Sequence, residues 1–124
     1  MVGETLVTNL CRGVGALSER SEVTDKIIAY CQQDGSYFLR KIHCGAMQGK
    51  GLPDLWGTYR GMFVCCESKT PVGRLSKMQR HLIRLINRAG GCAFVAASLE
   101  EFQSKVREGY AQHCARVHKN VFSE

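Results

Sequence analysis

The sequence has no C-x-x-C pair, no internal repeat, no low-complexity tract and no linker long enough to divide it. No apolar run approaches the ~20 residues that cross a bilayer, so no membrane association is expected. The N-terminus lacks a basic start followed by an apolar stretch, and no secretion signal is expected either. The seven cysteines (Cys11, Cys31, Cys44, Cys65, Cys66, Cys92 and Cys114) are an odd set without zinc-ribbon spacing. That argues against a disulfide framework and predicts buried thiols in a reducing setting, so the expected location is intracellular and cytoplasmic. Acids are outnumbered, 11 against 17 bases, and the net charge of +6 favours polyanionic partners.

What is present reads as one domain of 124 residues, large enough for a core without staples. The boundaries fall at an N-terminal arm or short helix over 1–20, a folded domain over 21–119 and a tail over 120–124.

The chain is organised around the stretch from Gly51 to Lys69. Leu55 to Tyr59 and Met62 to Lys69 are rich in β-favouring residues, and Arg60-Gly61 between them predicts a tight hairpin turn. A two-residue loop there puts Tyr59 opposite Met62 and Asp54 opposite Glu67. Directly opposed residues share a face of an antiparallel pair, and the period-2 rule adds Lys69 to that face. Two carboxylates and an ammonium therefore gather at one end of the hairpin. Adjacent carboxylates repel unless a proton or cation neutralises them, and a hard divalent ion such as Mg²⁺ suits that geometry. An isolated Glu-x-Lys is more often plain surface. Here Pro53 precedes the Asp, the strand around Glu67 is apolar, and the register closes.

The flanks predict the rest. Ser18 or Ser21 caps a helix running to about Gln33, stopped at Gly35, with Val23, Ile27, Tyr30 and Cys31 as its apolar stripe. Ser36 to His43 reads as the first strand, and Cys44 to Gly51 as a glycine-bearing loop in which Lys50 offers a phosphate contact. Ser76-Lys77-Met78-Gln79 is a capping-box pattern that starts a helix ending near Ala89. Met78, Leu82, Leu85, Ile86 and Ala89 form its apolar face; Lys77, Arg80, His81, Arg84 and Arg88 form the opposite one. A charged helix face is usually only solvated, but this one contains no acid, and a phosphate backbone would neutralise it. Cys92 to Ala97 predicts a buried strand parallel to its predecessor. A second capping box, Ser98 to Glu101, opens a last helix burying Leu99, Phe102, Val106 and Tyr110, with Cys114 and Val117 continuing the stripe and Gly109 a point of weakness. The class is α/β with a mixed sheet, in the order αβββαβ plus a C-terminal helix.

Pro53-Asp54 followed by Glu67-Ser68-Lys69 in a hydrophobic strand resembles the PD-(D/E)xK nuclease signature. The flanks Gly51-Leu52-Pro53-Asp54-Leu55 and Glu67 through Gln79 resemble the virus-type replication-repair nuclease domain (VRR-NUC), roughly from Ser21 to Phe102. Ser68 departs from the pattern, where a small apolar residue is commoner. The resemblance implies a restriction-endonuclease-like fold and Mg²⁺- or Mn²⁺-dependent hydrolysis of DNA phosphodiesters. It implies Asp54, Glu67 and the Ser68 backbone carbonyl as metal ligands, and Lys69 as the residue that orients water. Glu22 either favours the start of its helix or completes the metal site, with Asp25 and Glu19 as alternatives. Gln79 either closes the capping box or bonds near metal and substrate. Lys50, Lys77, Arg80, Arg84 and Arg88 would contact DNA. Standalone members of this kind are dimeric and act on branched DNA, so a four-way junction and a homodimer are expected.

Overall fold

A computed structural model describes residues 19–42, 51–70 and 73–122. Helix α1 (Glu19–Gln33) leads to strand β1 (Tyr37–Lys41) through a turn in which Asp34 Oδ1 accepts the Ser36 N–H at 2.9 Å. Strands β2 (Leu55–Tyr59) and β3 (Met62–Ser68) follow, then helix α2 (Lys77–Arg88), strand β4 (Cys92–Ala96) and helix α3 (Leu99–Phe122). The four strands form one mixed sheet in the order β1-β2-β3-β4, with β4 parallel to β3 and the other pairs antiparallel. The α/β class and the element order match the reading of the sequence.

The hairpin closes as expected. Arg60 (φ 48°) and Gly61 (φ 83°) both take positive φ, the requirement of a turn that follows strand twist. Tyr59 pairs with Met62 and Leu55 with Cys66, so Asp54 comes opposite Glu67.

Pairing register separates the two faces of the sheet. Leu39, Leu55, Met62, Val64, Cys66, Phe94 and Ala96 meet Ile27 and Cys31 of α1 and Phe102 and Val106 of α3 in the core. Phe102 is fully buried, and its truncation to Ala would cost about 3–5 kcal/mol. Burial pushes the thiols of Cys31 and Cys65 up to about 12, with Asp34 adding at Cys31 and Glu67 at Cys65. These are protonated, unreactive core groups. Helix α2 lies on the other face, against β4. At the outer margin of β4, the Asn87 side chain takes both backbone groups of Ala93. Its Oδ1 accepts the N–H at 2.7 Å and its Nδ2 donates to the C=O at 2.8 Å.

Several boundaries and contacts differ from expectation. Strand β1 is shorter than 36–43, although the Ile42 N–H still donates to the Asp54 carbonyl at 2.7 Å. Helix α1 starts at Glu19, the start that a cap at Ser18 rather than Ser21 implies and two residues ahead of the domain boundary drawn at 21. At the other end, α3 runs on to Phe122, inside the segment read as a tail. Helix α3 runs unbroken through Gly109; a Cβ there would overlap Cys92 Sγ, so glycine allows the helix to lie close on β4. Cys114 and Val117 are exposed rather than packed. A helix of 24 residues spans roughly 36 Å and outruns strands of five to seven residues. No residue of α2 is fully buried: Met78, Leu85 and Ala89 are exposed and Leu82, Ile83 and Ile86 half-buried. The apolar face of α2 is wider than the strip of sheet it covers. In the second capping box Ser98 Oγ accepts the Glu101 N–H at 3.1 Å, but the Glu101 carboxylate reaches the Ala97 N–H instead of closing on Ser98.

Candidate active site

Asp54 lies at the mouth of β2, Glu67 near the end of β3, and each side chain is tied to the other strand. The Asp54 N–H donates to Glu67 Oε2 at 3.2 Å, and the Ser68 N–H donates to Asp54 Oδ2 at 3.3 Å. This reciprocal clasp follows from register: a short carboxylate beside the opposite strand finds a backbone donor there. Pro53 is buried ahead of the clasp, and its carbonyl accepts the indole N–H of Trp56 at 2.9 Å, which fixes the chain entering Asp54.

Glu67 is 1% exposed, and a buried carboxylate is tolerable only with donors around it. They come from three elements. Besides the Asp54 amide, Gln79 Nε2 donates to Glu67 Oε1 at 2.9 Å from the first turn of α2. Lys69 Nζ is 3.7 Å from the same oxygen, with its own side chain 17% exposed. The N-terminal end of α2, whose unpaired N–H groups favour negative charge, points its third residue at this carboxylate.

Gln79 closes the capping box expected from the sequence. Its Oε1 accepts the Ser76 N–H at 2.9 Å, and Ser76 Oγ accepts the Gln79 N–H at 3.1 Å, a complete capping box. The same side chain meets Glu67 through its nitrogen. One amide has two ends: the oxygen closes the cap and the nitrogen holds Glu67.

The structure thus brings together Asp54, Glu67, Ser68, Lys69 and Gln79. The Ser68 amide faces Asp54, and in an extended residue the carbonyl opens to the same side, towards the carboxylates. Ser68 Oγ points the other way and accepts a bond from Thr24 Oγ1 at 2.9 Å within the core. This buried hydroxyl pair pins α1 to the strand behind the site. The sequence carries its signal only weakly, as a polar residue, Thr24, inside the helix stripe.

Glu22 is exposed on α1, the layer on the far side of the sheet, and takes no part in the contacts just given. Of its alternatives, Asp25 is half-buried, and the Glu19 side chain lies outside the described residues. Lys50 also lies outside them. Lys77, Arg80, Arg84 and Arg88 are all exposed on α2, with Arg88 in the last turn, where a cation also favours the helix end. Among the described residues no group of three or more His, Cys, Asp or Glu side chains converges on one point. The side chains therefore offer two carboxylates, to be completed by a carbonyl, water and ligand oxygens. All are hard oxygen donors, and that set fits Mg²⁺ or Mn²⁺ rather than zinc. Among the described residues no helix is long and apolar enough to cross a membrane.

No family model and no curated protein matches this sequence.

Proposed function

We propose that this protein is a metal-dependent, structure-selective DNA endonuclease built on a restriction-endonuclease-like PD-(D/E)xK framework of the VRR-NUC kind. The observation that supports this most is the clasp of Asp54 and Glu67 with Lys69 Nζ 3.7 Å from the shared carboxylate. Asp54, Glu67 and the Ser68 carbonyl would hold Mg²⁺ or Mn²⁺. Such an ion, when bound, would polarise a phosphoryl oxygen and lower the pKa of a bound water, so that hydroxide is available to attack the phosphorus.

The chain's own groups do the remainder. Gln79 prevents the Glu67 carboxylate from rotating, so its oxygens keep one direction. Lys69 orients the attacking water and offsets the negative charge that grows on the phosphate in the transition state, a role that depends on fixed placement. Lys77, Arg80, Arg84 and Arg88 track phosphates along the exposed side of α2. None of these groups is set to read base edges, so recognition is by shape. The four-way junction is the first substrate to test, with flaps and other branches next. A chain with one site resolves a junction symmetrically as a two-fold dimer.

The test is incubation with an end-labelled four-way junction in Mg²⁺, in Mn²⁺ and in EDTA, alongside Asp54→Asn. Cuts that need the metal and vanish in the variant while binding persists are expected. Undiminished cutting by Asp54→Asn would end the proposal. A second reading, a DNA-binding module without chemistry, draws on the way Glu67 is already bonded by the chain's own donors. Junction binding with no cleavage in either metal would favour it.

A further inference from the structure

Only part of the sheet face that carries Asp54 and Glu67 lies beneath α2. On the same face, along β1 and β2, Arg40 pairs with Trp56 and Phe38 with Thr58, and Phe63 of β3 comes opposite Thr58. Phe38 is 60% exposed, Phe63 36% exposed, and Arg40 is exposed beside them. The Arg40 guanidinium stands 5.1 Å from the Phe38 ring centre, and the rings of Trp56 and Phe63 meet edge to face at 5.7 Å. Trp56 follows Asp54 by two residues, roughly 6.6 Å along the strand. Soluble chains seldom leave clustered aromatic rings uncovered without a use for them.

We infer that this open half of the sheet is a stacking platform for unpaired nucleobases, placed beside the carboxylate site. The inference rests on the endonuclease reading for the identity of the polymer. Three features select this occupant. Aromatic rings and a planar guanidinium supply stacking surfaces that accept any base. Among the described strands, the acids on this face are Asp54 and Glu67, both at the site itself, so nothing further along repels a phosphate backbone. A second copy of the chain laid on this face would meet Arg40 without an acid to pair with it there. Flaps, gapped branches and junctions opened at their centre offer unpaired bases beside duplex, so the platform would select such branched substrates without reading sequence.

Trp56 is the single tryptophan, so its fluorescence reports on this face. The full chain is titrated in EDTA, where cleavage plays no part, with an oligo-dT single strand and with an abasic strand of the same length. Quenching and tighter binding are expected with oligo-dT, and weaker binding without bases. Phe38→Ala should bind oligo-dT about 5- to 100-fold more weakly and leave abasic binding unchanged. Arg40→Ala serves as a second variant, and thermal melts establish that both fold. Equal affinity for the two strands, or oligo-dT binding untouched by both variants, would overturn the platform. So would a dimer that Phe38→Ala converts to monomer, since the face would then belong to a second copy. A protein that stacks oligo-dT but never cuts a junction sinks the endonuclease reading and leaves the platform standing.

Discussion

Gln79 donates to Glu67 with one end of its amide and closes the cap of its own helix with the other. The start of α2 and the end of β3 therefore share one side chain, and a change at position 79 is felt in both.

Gln79→Glu separates the two duties. The new carboxylate still accepts the Ser76 N–H but faces Glu67 with like charge. Melting in EDTA should fall by about 3–6 °C per kcal/mol of that repulsion, and Mn²⁺ should raise the variant more than it raises the wild type. Gln79→Ala should lose about 1 kcal/mol of cap and gain no such metal response. Equal Mn²⁺ shifts in Gln79→Glu and wild type would count against a shared ion.

Lys69→Ala leaves the exposed basic residues of α2 in place while removing the ammonium at Glu67. Junction affinity should stay within about twofold, and the single-turnover cleavage rate should drop about 10²- to 10³-fold. A variant that cuts at the wild-type rate would remove Lys69 from the mechanism.

Gly57 sits between two strands, paired with Leu39 on one side and Val64 on the other. A Cβ there would overlap the Phe38 carbonyl oxygen and come 2.7 Å from Leu39 Cα. Backbone cannot swing aside as a side chain does, so Gly57→Ala should cost more than about 2 kcal/mol, read by urea denaturation. A loss under about 0.5 kcal/mol would mean that β1 slides on β2 freely.

The buried thiols set an alkaline limit. Unfolded cysteines ionise near 9.0, whereas Cys31 and Cys65 hold their protons to about 12, chiefly through burial. Between those values the unfolded chain binds fewer protons, so stability is full below about pH 9 and falls as pH rises towards 12. Cys66 and Cys92 are raised as well and add the same sign. Cys31→Ala should lower the stability curve and flatten its alkaline slope. Denaturation at neutral and alkaline pH gives both quantities, and an unchanged slope would contradict the account.

Local chemistry explains which parts of the structure were legible in the chain. Arg60-Gly61 sets a turn, the turn sets a constant register, and that register carries from Tyr59 and Met62 down to Asp54 and Glu67. Ser76 and Gln79 are three residues apart and cap each other wherever their helix is placed. Contacts that depend on how elements cross were not legible. Thr24 meets Ser68 because α1 packs behind β3, and Asn87 meets Ala93 because α2 ends beside β4. The periodicity of α2 marked an apolar face without saying how much sheet lies under it, and none of its residues is fully buried. The Trp56 platform was within reach: Asp54 and Trp56 share a face by the same period-2 rule that gathered the carboxylates.

Asn87 also bears on how two copies of the chain can meet. Sheets commonly grow when a strand from another molecule adds itself to an unpaired border, and at Ala93 that seat is taken by an amide from the chain itself. An incoming strand would have to evict it. Continuous β-structure across any two-copy assembly is thereby opposed on this flank.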